Sequence, residues 1–511
     1  MRDTSGLIAL SNRQIIIAVT FLFGLVATLP LWTYKVYYRD DYLRLVTGDN
    51  FSWLTNGRPL TVLINMVLRF NYYSNDITPL PLILGLMVLS IAAVIYVEKL
   101  QLGLKGFWQC ISPLLLILNP FLTQPFQYSF DSLTISLAIA LGLLASFTYQ
   151  VRLLVNLLIT CLILLMMLSI YQIGTNIFIS AVILLSLAKW HRQESIKYYL
   201  LEKALACITS LLIYKLLVAN FLIGGSYTMS HSESLPIGRA TPQIVWTNLQ
   251  DFYSMFMLAF PGLKVLFLII PLAMAFGGLA VLFIKNQVIN KAMLGNYPVS
   301  KVLTTGGVLM LLPLMLIVSI AGVSLLLLNP AFQIRVLPAY SGLALFCFYV
   351  SIQAFPKFKY WIAGLQLIVL FYNLVLMVSC FNALVNQQSH IQETLERIKI
   401  EISHLPINEV TNIAFIGQLR PSPDIITTLN NFPIAAKITN DWGIIDMVLR
   451  ANLSLKLTPV TEAMAMYIPD HYISQDCEYS FFLYQGVAVI DYRTNTRQKA
   501  EFNSRGCQYA P

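Results

Sequence analysis

Long apolar runs restrict the fold of this sequence more than any other feature. A helix needs about 20 mostly apolar residues to cross about 30 Å of hydrocarbon, because every backbone polar group there must be satisfied within the segment. Eleven runs approach this length, and they cover residues 15–34, 79–97, 107–124, 131–149, 153–170, 174–189, 200–223, 265–284, 302–328, 336–355 and 361–381. The sequence therefore predicts an α-helical polytopic membrane protein with about 11 transmembrane helices.

The composition excludes a soluble globular protein. Hydrophobic residues make up 57% of the 511 residues and charged residues only 11%, whereas about 25% of an ordinary soluble chain is charged. Between Leu100 and Gln392 there are only five carboxylates, too few to keep such a stretch in water. The net charge of +9 comes from small basic groups between the apolar runs, so no nucleic-acid partner is predicted.

The basic residues predict the orientation in the membrane. If the N-terminus is cytoplasmic, the loops on that side are short and each carries Lys or Arg, as the positive-inside rule requires. The opposite side then receives the longer segments, namely the loop 35–78, the loop 224–264 and everything after residue 381. This N-in, C-out arrangement places the working face of the protein outside the cytoplasm.

The polarity of the chain changes near residue 381 and predicts two domains. Residues 1–381 form the transmembrane domain, and residues 382–511 form a small α/β domain of ordinary polarity. In that domain a helical repeat of apolar residues precedes several strand-like runs. The helical repeat is Ile391, Leu395, Ile398 and Ile402, and the strand-like runs are Asn412–Ile416, Phe481–Tyr484 and Val487–Ile490.

Two cysteines, Cys477 and Cys507, lie in polar sequence on the predicted oxidising side. The sequence allows a disulfide between them, which would stabilise the domain by about 3 to 4 kcal/mol in the chain-entropy model. The other five cysteines lie in or beside apolar runs. No His or Cys cluster has metal-ligand spacing, so no metal is predicted.

The first outer loop concentrates charge directly after a predicted span, where charge is costly unless it is hydrated or paired. It contains the pair Asp40 and Asp41, then Arg44, Trp53 and Arg58. Paired carboxylates beside arginines suit a reaction in which an alcohol loses a proton while a phosphate departs. One aspartate would act as general base, and the arginines would bind phosphate oxygens. The alternative is a salt-bridged loop with no chemical role.

The order of these elements resembles that of the bacterial and phage glucosyltransferases that modify O-antigen at the periplasmic face. The resemblance rests on Asp40-Asp41, Arg44, Gly48, Trp53 and Gly57-Arg58-Pro59-Leu60, with further matches at Asn119-Pro120-Phe121, Tyr128-Ser-Phe-Asp-Ser-Leu133 and Tyr171-Gln172. It covers roughly residues 15 to 350, and the first loop is its most specific part.

The resemblance implies a GT-C architecture and a polyprenyl-phosphate-glucose donor, usually the undecaprenyl form. It implies inverting transfer of glucose to O-antigen, lipopolysaccharide or a related surface polysaccharide, with the active site and the C-terminal domain periplasmic in the bacterial inner membrane. The base falls on Asp40 or Asp41, and the sequence does not choose between them. The lipid-linked sugar is a substrate, so no cofactor is predicted. A donor synthase and a flippase are expected in the same pathway.

Further residues are candidates for binding the substrates. Arg44, Arg58, Lys215 and Arg335 are cations suited to the donor phosphate, and Asp131, Tyr128, Tyr171, Gln172 and Trp53 are candidates for sugar or acceptor contacts. Each has a structural alternative. Lys215 could extend outward from a span end, Asp131 could cap a helix, and Tyr171 and Gln172 could satisfy the backbone at a turn.

Two other function classes share the polytopic, basic-inside pattern. A lipid-linked oligosaccharide flippase or secondary transporter should place ionisable groups near the middle of the membrane, whereas most outer-side charges here lie in loops. An O-antigen polymerase or ligase usually has a large central outer loop that carries arginines, whereas the informative loop here comes first and carries paired aspartates.

Overall fold

A computed structural model describes residues 11–38, 40–149, 152–224, 226–236, 238, 240–285, 299–403, 412–439, 456–467, 469, 472–475 and 479–493. The chain divides into two compact units. The helical unit comprises the described residues of 1–35 and 49–378, and the C-terminal unit comprises those of 36–48 and 379–511. Segment 36–48 of the first predicted loop thus groups with the end of the chain.

Helices make up almost the whole helical unit. The α-helices are Asn12–Ala27, Leu29–Thr33, Ser52–Thr55, Pro59–Arg69, Leu80–Glu98, Ile111–Ile117, Thr123–Gln127, Ser132–Ala145, Leu153–Ile170, Gly174–His191, Lys197–Tyr214, Asn220–Leu222, Ser226–Ser232, Thr241–Met257, Leu266–Lys285, Val299–Ala321, Tyr340–Ala354 and Lys359–Ser403. The last of these has 45 residues and continues into the C-terminal unit.

Fewer helices than predicted are long and apolar enough to cross a membrane. Among the described residues there are six, or seven if one bent pair counts as a single span. The six are Leu80–Glu98, Leu153–Ile170, Lys197–Leu222, Gly262–Lys285, Leu309–Leu326 and Pro356–Ser403. The prediction of about 11 spans therefore exceeds the number that the structure supports.

The difference arises because four of the predicted runs form helices that are too short or too polar. Asn12–Ala27, Ser132–Ala145 and Tyr340–Ala354 have 16, 14 and 15 residues. Since a helix rises about 1.5 Å per residue, 15 residues extend only about 22 Å. The helix Gly174–His191 has 18 residues, but polar side chains such as that of Asn176 interrupt its apolar character.

The bent pair comprises the helical stretches Gly106–Ile117 and Pro120–Gln127, which meet at an angle of 47°. The break falls at Asn119, because the residue before a proline is pushed out of the helical conformation. The Asn119 Oδ1 atom accepts the N–H of Phe121 at 3.0 Å, and its Nδ2 atom donates to the Pro338 carbonyl at 2.7 Å. The backbone groups freed at the break are thereby satisfied in part by one side chain.

An ion pair is buried on the helix Lys197–Tyr214. The Lys203 Nζ atom lies 3.1 Å from a Glu202 carboxylate oxygen, and the two side chains are only 1% and 2% exposed. Lys203 also donates to the Thr160 hydroxyl at 2.9 Å, and the Asn156 amide donates to Glu202 at 2.8 Å. These partners compensate two charges that would otherwise be costly to bury.

The C-terminal unit contains a five-stranded sheet with the order β2-β1-β5-β4-β3. Its strands are β1 Asn412–Ile416, β2 Lys456–Leu457, β3 Ser474–Gln475, β4 Ser480–Tyr484 and β5 Val487–Asp491. Strand β1 runs parallel to β2 and to the central strand β5, while β5–β4 and β4–β3 are antiparallel. Its helices, besides the end of Lys359–Ser403, are Asp40–Thr47, Ile426–Asn431, Ala436–Thr439 and Glu462–Met466.

The hairpin between β4 and β5 closes through Gln485 and Gly486, which have φ values of 50° and 79°. Two consecutive residues with positive φ match the twist of the flanking strands, and glycine adopts this conformation without strain. The turn sets the register in which Phe481 pairs with Ile490.

The two faces of the sheet bury alternate residues. On one face Ile413, Phe481 and Ile490 pack in one cluster with Ile391 and Ile398 of the long helix. On the other face Ala414, Phe482 and Val489 pack with Met464. This alternation confirms the strand-like runs and the helical repeat predicted from the sequence. Cys477 and Cys507 lie outside the described residues, so their pairing stays a prediction.

Removing one member of the buried ion pair should destabilise the protein strongly. We expect Glu202→Ala to lower the free energy of unfolding by about 3–5 kcal/mol, because it leaves the Lys203 ammonium buried without its counterion. The measurement is thermal unfolding in detergent micelles.

Glu194→Ala is the matched control. Hydrogen bonds from Arg192 and Lys189 lower the pKa of Glu194, but its side chain is 42% exposed. An exposed pair contributes at most about 1 kcal/mol. Equal losses in the two variants would contradict the assignment of a stabilising role to the buried pair.

Candidate functional site

The helix Asp40–Thr47 in the C-terminal unit carries both candidate bases in its first turn, where negative charge is favourable. Their environments differ. The Asp41 side chain is fully buried, and its Oδ2 atom accepts the backbone N–H of Tyr38 at 3.1 Å. The Asp40 side chain is 57% exposed and lies 4.0 Å from the buried Arg44 guanidinium one turn later. Asp41 therefore holds the start of the helix, while Asp40 presents its carboxylate outward.

This helix is anchored by other residues of the C-terminal unit. Tyr42 packs in the cluster that contains Ile391 and Leu395 of the long helix. The Gln388 side chain accepts the Tyr37 N–H at 3.3 Å and donates to the Tyr42 hydroxyl at 2.8 Å. One glutamine thus contacts the chain on both sides of the two aspartates.

A second group of predicted residues meets in the helical unit. The Arg58 guanidinium carbon lies 4.2 Å from the centre of the Tyr171 ring. The Gln172 amide donates to the Tyr214 hydroxyl at 2.5 Å, and that hydroxyl donates to the Gly57 carbonyl at 2.8 Å. The Arg58 Nε atom is buried and has no hydrogen-bond partner within the described part of the chain. The group therefore holds the Arg58 guanidinium against the Tyr171 ring and leaves the Nε–H of Arg58 available to donate to a ligand.

A third group surrounds Arg335 in the same unit. Its guanidinium donates to the Tyr128 hydroxyl at 2.9 Å, and its backbone N–H donates to the Gln124 side chain at 2.9 Å. Gln127 is only 1% exposed, and neither atom of its amide has a partner among the residues that the structure describes. Asp131 is 4% exposed and precedes the helix Ser132–Ala145, but its side chain makes no capping hydrogen bond. The capping alternative for Asp131 is therefore wrong.

Two predicted residues remain. Trp53 is fully buried on the short helix Ser52–Thr55, and its carbonyl accepts the backbone N–H of Arg58 at 2.9 Å. Lys215 begins a π-helical turn, Lys215–Ala219, and its side chain is exposed beside the exposed Leu216 and Leu217. Its contact with a donor phosphate and its outward extension both stay open as predictions.

The sequence alone did not identify four of these residues, namely Gln124, Gln127, Tyr214 and Gln388. The first two are polar residues at the end of an apolar run, and that interruption was a usable signal. Tyr214 and Gln388 had none, because their roles depend on partners 42 to 351 residues away. No group of three or more His, Cys, Asp or Glu residues suited to a metal ion occurs within the described ranges.

Comparisons with known proteins agree with the family resemblance seen in the sequence. The sequence model of the family described as "Glucosyl transferase GtrII" matches residues 29–348, more than half of the chain. A protein of Salmonella phage P22, described as "Uncharacterized 55.3 kDa protein in gtrB 5'region", is 29% identical over 250 residues. These are 48% of this chain and 51% of the phage protein, so the chain spans about half the length of that curated relative. No solved structure matches the chain.

Gly57 precedes Arg58, and its carbonyl accepts the hydrogen bond from the Tyr214 hydroxyl. Its backbone conformation and its close neighbours both require a glycine. Its φ is +73°, and an added Cβ would come within 2.5 Å of the Tyr214 hydroxyl oxygen. We expect Gly57→Ala to cost about 1–2 kcal/mol for the left-handed backbone and more for the displaced tyrosine. The measurement is the free energy of unfolding in detergent.

Gly103→Ala is the control, since Gly103 has a φ of +68° with nothing within 4 Å of an added Cβ. Equal losses in the two variants would show that the Tyr214 contact has no stabilising effect.

Proposed function

The chain belongs to the glucosyl transferase GtrII family, and from this premise we propose a specific reaction. The protein moves glucose from undecaprenyl-phosphate-glucose to an O-antigen or related surface polysaccharide, at the periplasmic face of the bacterial inner membrane. The family membership favours glycosyl transfer over the flippase, polymerase and ligase alternatives. The apolar helices supply a membrane setting for a lipid-linked donor.

The observation that carries the mechanism is the contrast between the two adjacent aspartates. We assign the base to Asp40, because its carboxylate is more than half exposed and can reach an acceptor hydroxyl. We assign a positioning role to Asp41, because its carboxylate is buried and hydrogen-bonded to the Tyr38 N–H. Arg44 lies one turn later, and its guanidinium is 4.0 Å from the Asp40 carboxylate.

The reaction balances without a cofactor. The acceptor hydroxyl gives its proton to the Asp40 carboxylate, and its oxygen forms a bond to the anomeric carbon of glucose. The bond between that carbon and the phosphate oxygen breaks, and its electron pair leaves with undecaprenyl phosphate. Attack opposite the leaving group inverts the anomeric configuration.

The leaving phosphate needs positive charge, and Arg58 and Arg335 are assigned to it. Each guanidinium lies over or beside a tyrosine ring, and Arg58 has a buried Nε–H without a partner among the described residues. A guanidinium matches phosphate oxygens in a planar fork and stays charged at any relevant pH. Tyr128 accepts a hydrogen bond from Arg335 and is assigned to the hydroxyl groups of the transferred sugar, together with its near neighbours in the chain, Gln127 and Asp131.

Replacing the proposed base should remove turnover and leave donor binding intact. For Asp40→Asn we expect transfer from synthetic undecaprenyl-phosphate-glucose to fall by about 10²–10⁴-fold, the usual contribution of a general base. The assay follows glucose transfer to purified polysaccharide in nanodiscs, with donor binding measured separately.

Two further variants decide between the aspartates. Asp41→Asn should lower thermal stability more than it lowers turnover per folded protein, and the exposed Asp424→Asn should leave both unchanged. If Asp41→Asn loses turnover while Asp40→Asn keeps it, the roles are reversed. If both keep full activity, the mechanism is wrong.

The geometry of the arginines should matter as well as their charge. We expect Arg335→Lys to raise the KM for the donor about tenfold, because lysine keeps the charge but loses the planar fork, with kcat changing less. Arg152→Lys, at an exposed position before the helix Leu153–Ile170, is the control and should behave as wild type. An unchanged KM in Arg335→Lys would remove Arg335 from the donor site.

A further inference from the structure

A cleft in the helical unit is lined by residues that are not assigned to the reaction. Its volume is about 530 Å³, within the range of about 300–1,000 Å³ typical of small-molecule sites. Its polar and aromatic lining includes His231, Gln243, Thr247, Asp251, Asn329 and Phe332. None of these residues takes part in the mechanism proposed above.

The walls of the cleft are held in place by hydrogen bonds. One wall is the helix Thr241–Met257, and the Asn248 amide on it donates to the Leu327 carbonyl at 2.9 Å. The other wall is segment 328–332, which begins where the Leu328 N–H donates to the Glu233 carbonyl at 2.9 Å. The His231 ring bonds the Asn329 carbonyl at 2.7 Å and closes one end. The cleft is therefore formed before any ligand arrives.

The chemistry of the lining suits a sugar. A pyranose ring offers hydroxyl groups that both donate and accept hydrogen bonds, and the Gln243 amide, the Thr247 hydroxyl and the Asp251 carboxylate can pair with them. It also has apolar C–H faces that pack on aromatic rings, and the Phe332 ring is 37% exposed. A neutral saccharide satisfies both kinds of group.

The charge of the lining argues against the donor as the occupant. No Lys or Arg is among the described residues that line the cleft, and Asp251 brings a carboxylate into it. A phosphate there would be repelled by that carboxylate and would meet no Lys or Arg among the described lining residues. The cleft therefore favours an uncharged chain of sugars over a lipid-linked sugar phosphate.

One wall of the cleft is close in sequence to a residue assigned to the donor. Phe332 is followed three residues later by Arg335, and the helix Thr241–Met257 leads into the span Gly262–Lys285. On the helix, Trp246 and Tyr253 are 59% and 62% exposed. Exposed Trp and Tyr residues are enriched at membrane–water interfaces, so the helix belongs at the level of the lipid headgroups.

We propose that this cleft binds the acceptor, as a stretch of neutral sugars in a surface polysaccharide, and so determines which polysaccharide is modified. The inference rests on the proposed function, because it assumes that the acceptor is a polysaccharide. Gln243 and Asp251 are then specificity-determining residues outside the catalytic group.

The test measures binding of polysaccharide separately from transfer. The probe is the O-polysaccharide released by mild acid from the strain that carries this sequence, cut to a few repeating units and labelled fluorescently. The full chain in nanodiscs is titrated with it as wild type, as the double variant Gln243→Ala/Asp251→Ala, and as Gln250→Ala. Gln250 is exposed on the same helix but does not line the cleft. Binding of undecaprenyl-phosphate-glucose is titrated in parallel.

We expect the double variant to bind the polysaccharide at least about tenfold more weakly, while Gln250→Ala binds as wild type and all three bind the donor equally. Equal polysaccharide binding by the double variant would overturn the cleft as the acceptor site. A wild type that does not bind the probe would also overturn it, and so would a double variant that loses the donor instead. Binding with the expected loss, but without transfer in the wild type, would leave the cleft standing and contradict the glycosyltransferase proposal.

Discussion

The structure of the helical unit depends on one constraint, namely that polar groups removed from water must find partners within the protein. Asn119 satisfies backbone groups where the helical pair Gly106–Ile117 and Pro120–Gln127 bends. Asn176 has a similar role: its amide donates to the Ala321 carbonyl at 3.0 Å, and its Oδ1 atom accepts the Val323 N–H at 3.1 Å, at the end of the helix Val299–Ala321. Single asparagines therefore make irregular backbone possible at two helix ends.

By the same constraint, buried polar atoms without a partner in the protein indicate where a ligand could bind. The amide of Gln127 is buried without a partner in the described part of the chain, although each of its two polar atoms would normally be paired. The Arg58 Nε atom is in the same situation. Under the proposed function a sugar phosphate would supply the missing hydrogen bonds, because it has groups of both required kinds.

The sequence predicted what depends on local periodicity. Apolar runs predicted the positions of the helices, and strand-like runs predicted β1, β4 and β5, whose residues are buried alternately on the two faces of the sheet. The number of spans was overestimated, since hydrophobicity does not distinguish a buried helix of 15 residues such as Tyr340–Ala354 from a membrane-crossing helix. The first loop was found from its charges, but the different burial of Asp40 and Asp41 was not, because it depends on the phase of a helix that only tertiary packing fixes.

The pairing of arginine with tyrosine links the proposed phosphate residues to their surroundings. A guanidinium is weakly hydrated and can lie on an aromatic ring without losing its in-plane donors, whereas an ammonium binds water more strongly. Arg58 lies over Tyr171 and Arg335 lies near Tyr128, and both arginines are only partly exposed. A tyrosine below the plane lowers the cost of removing the cation from water and leaves the N–H groups at its edge for an anion. The proposed lipid-linked donor would carry its phosphate at the headgroup level, close to the apolar core, and there such a pair has an advantage over a solvated lysine.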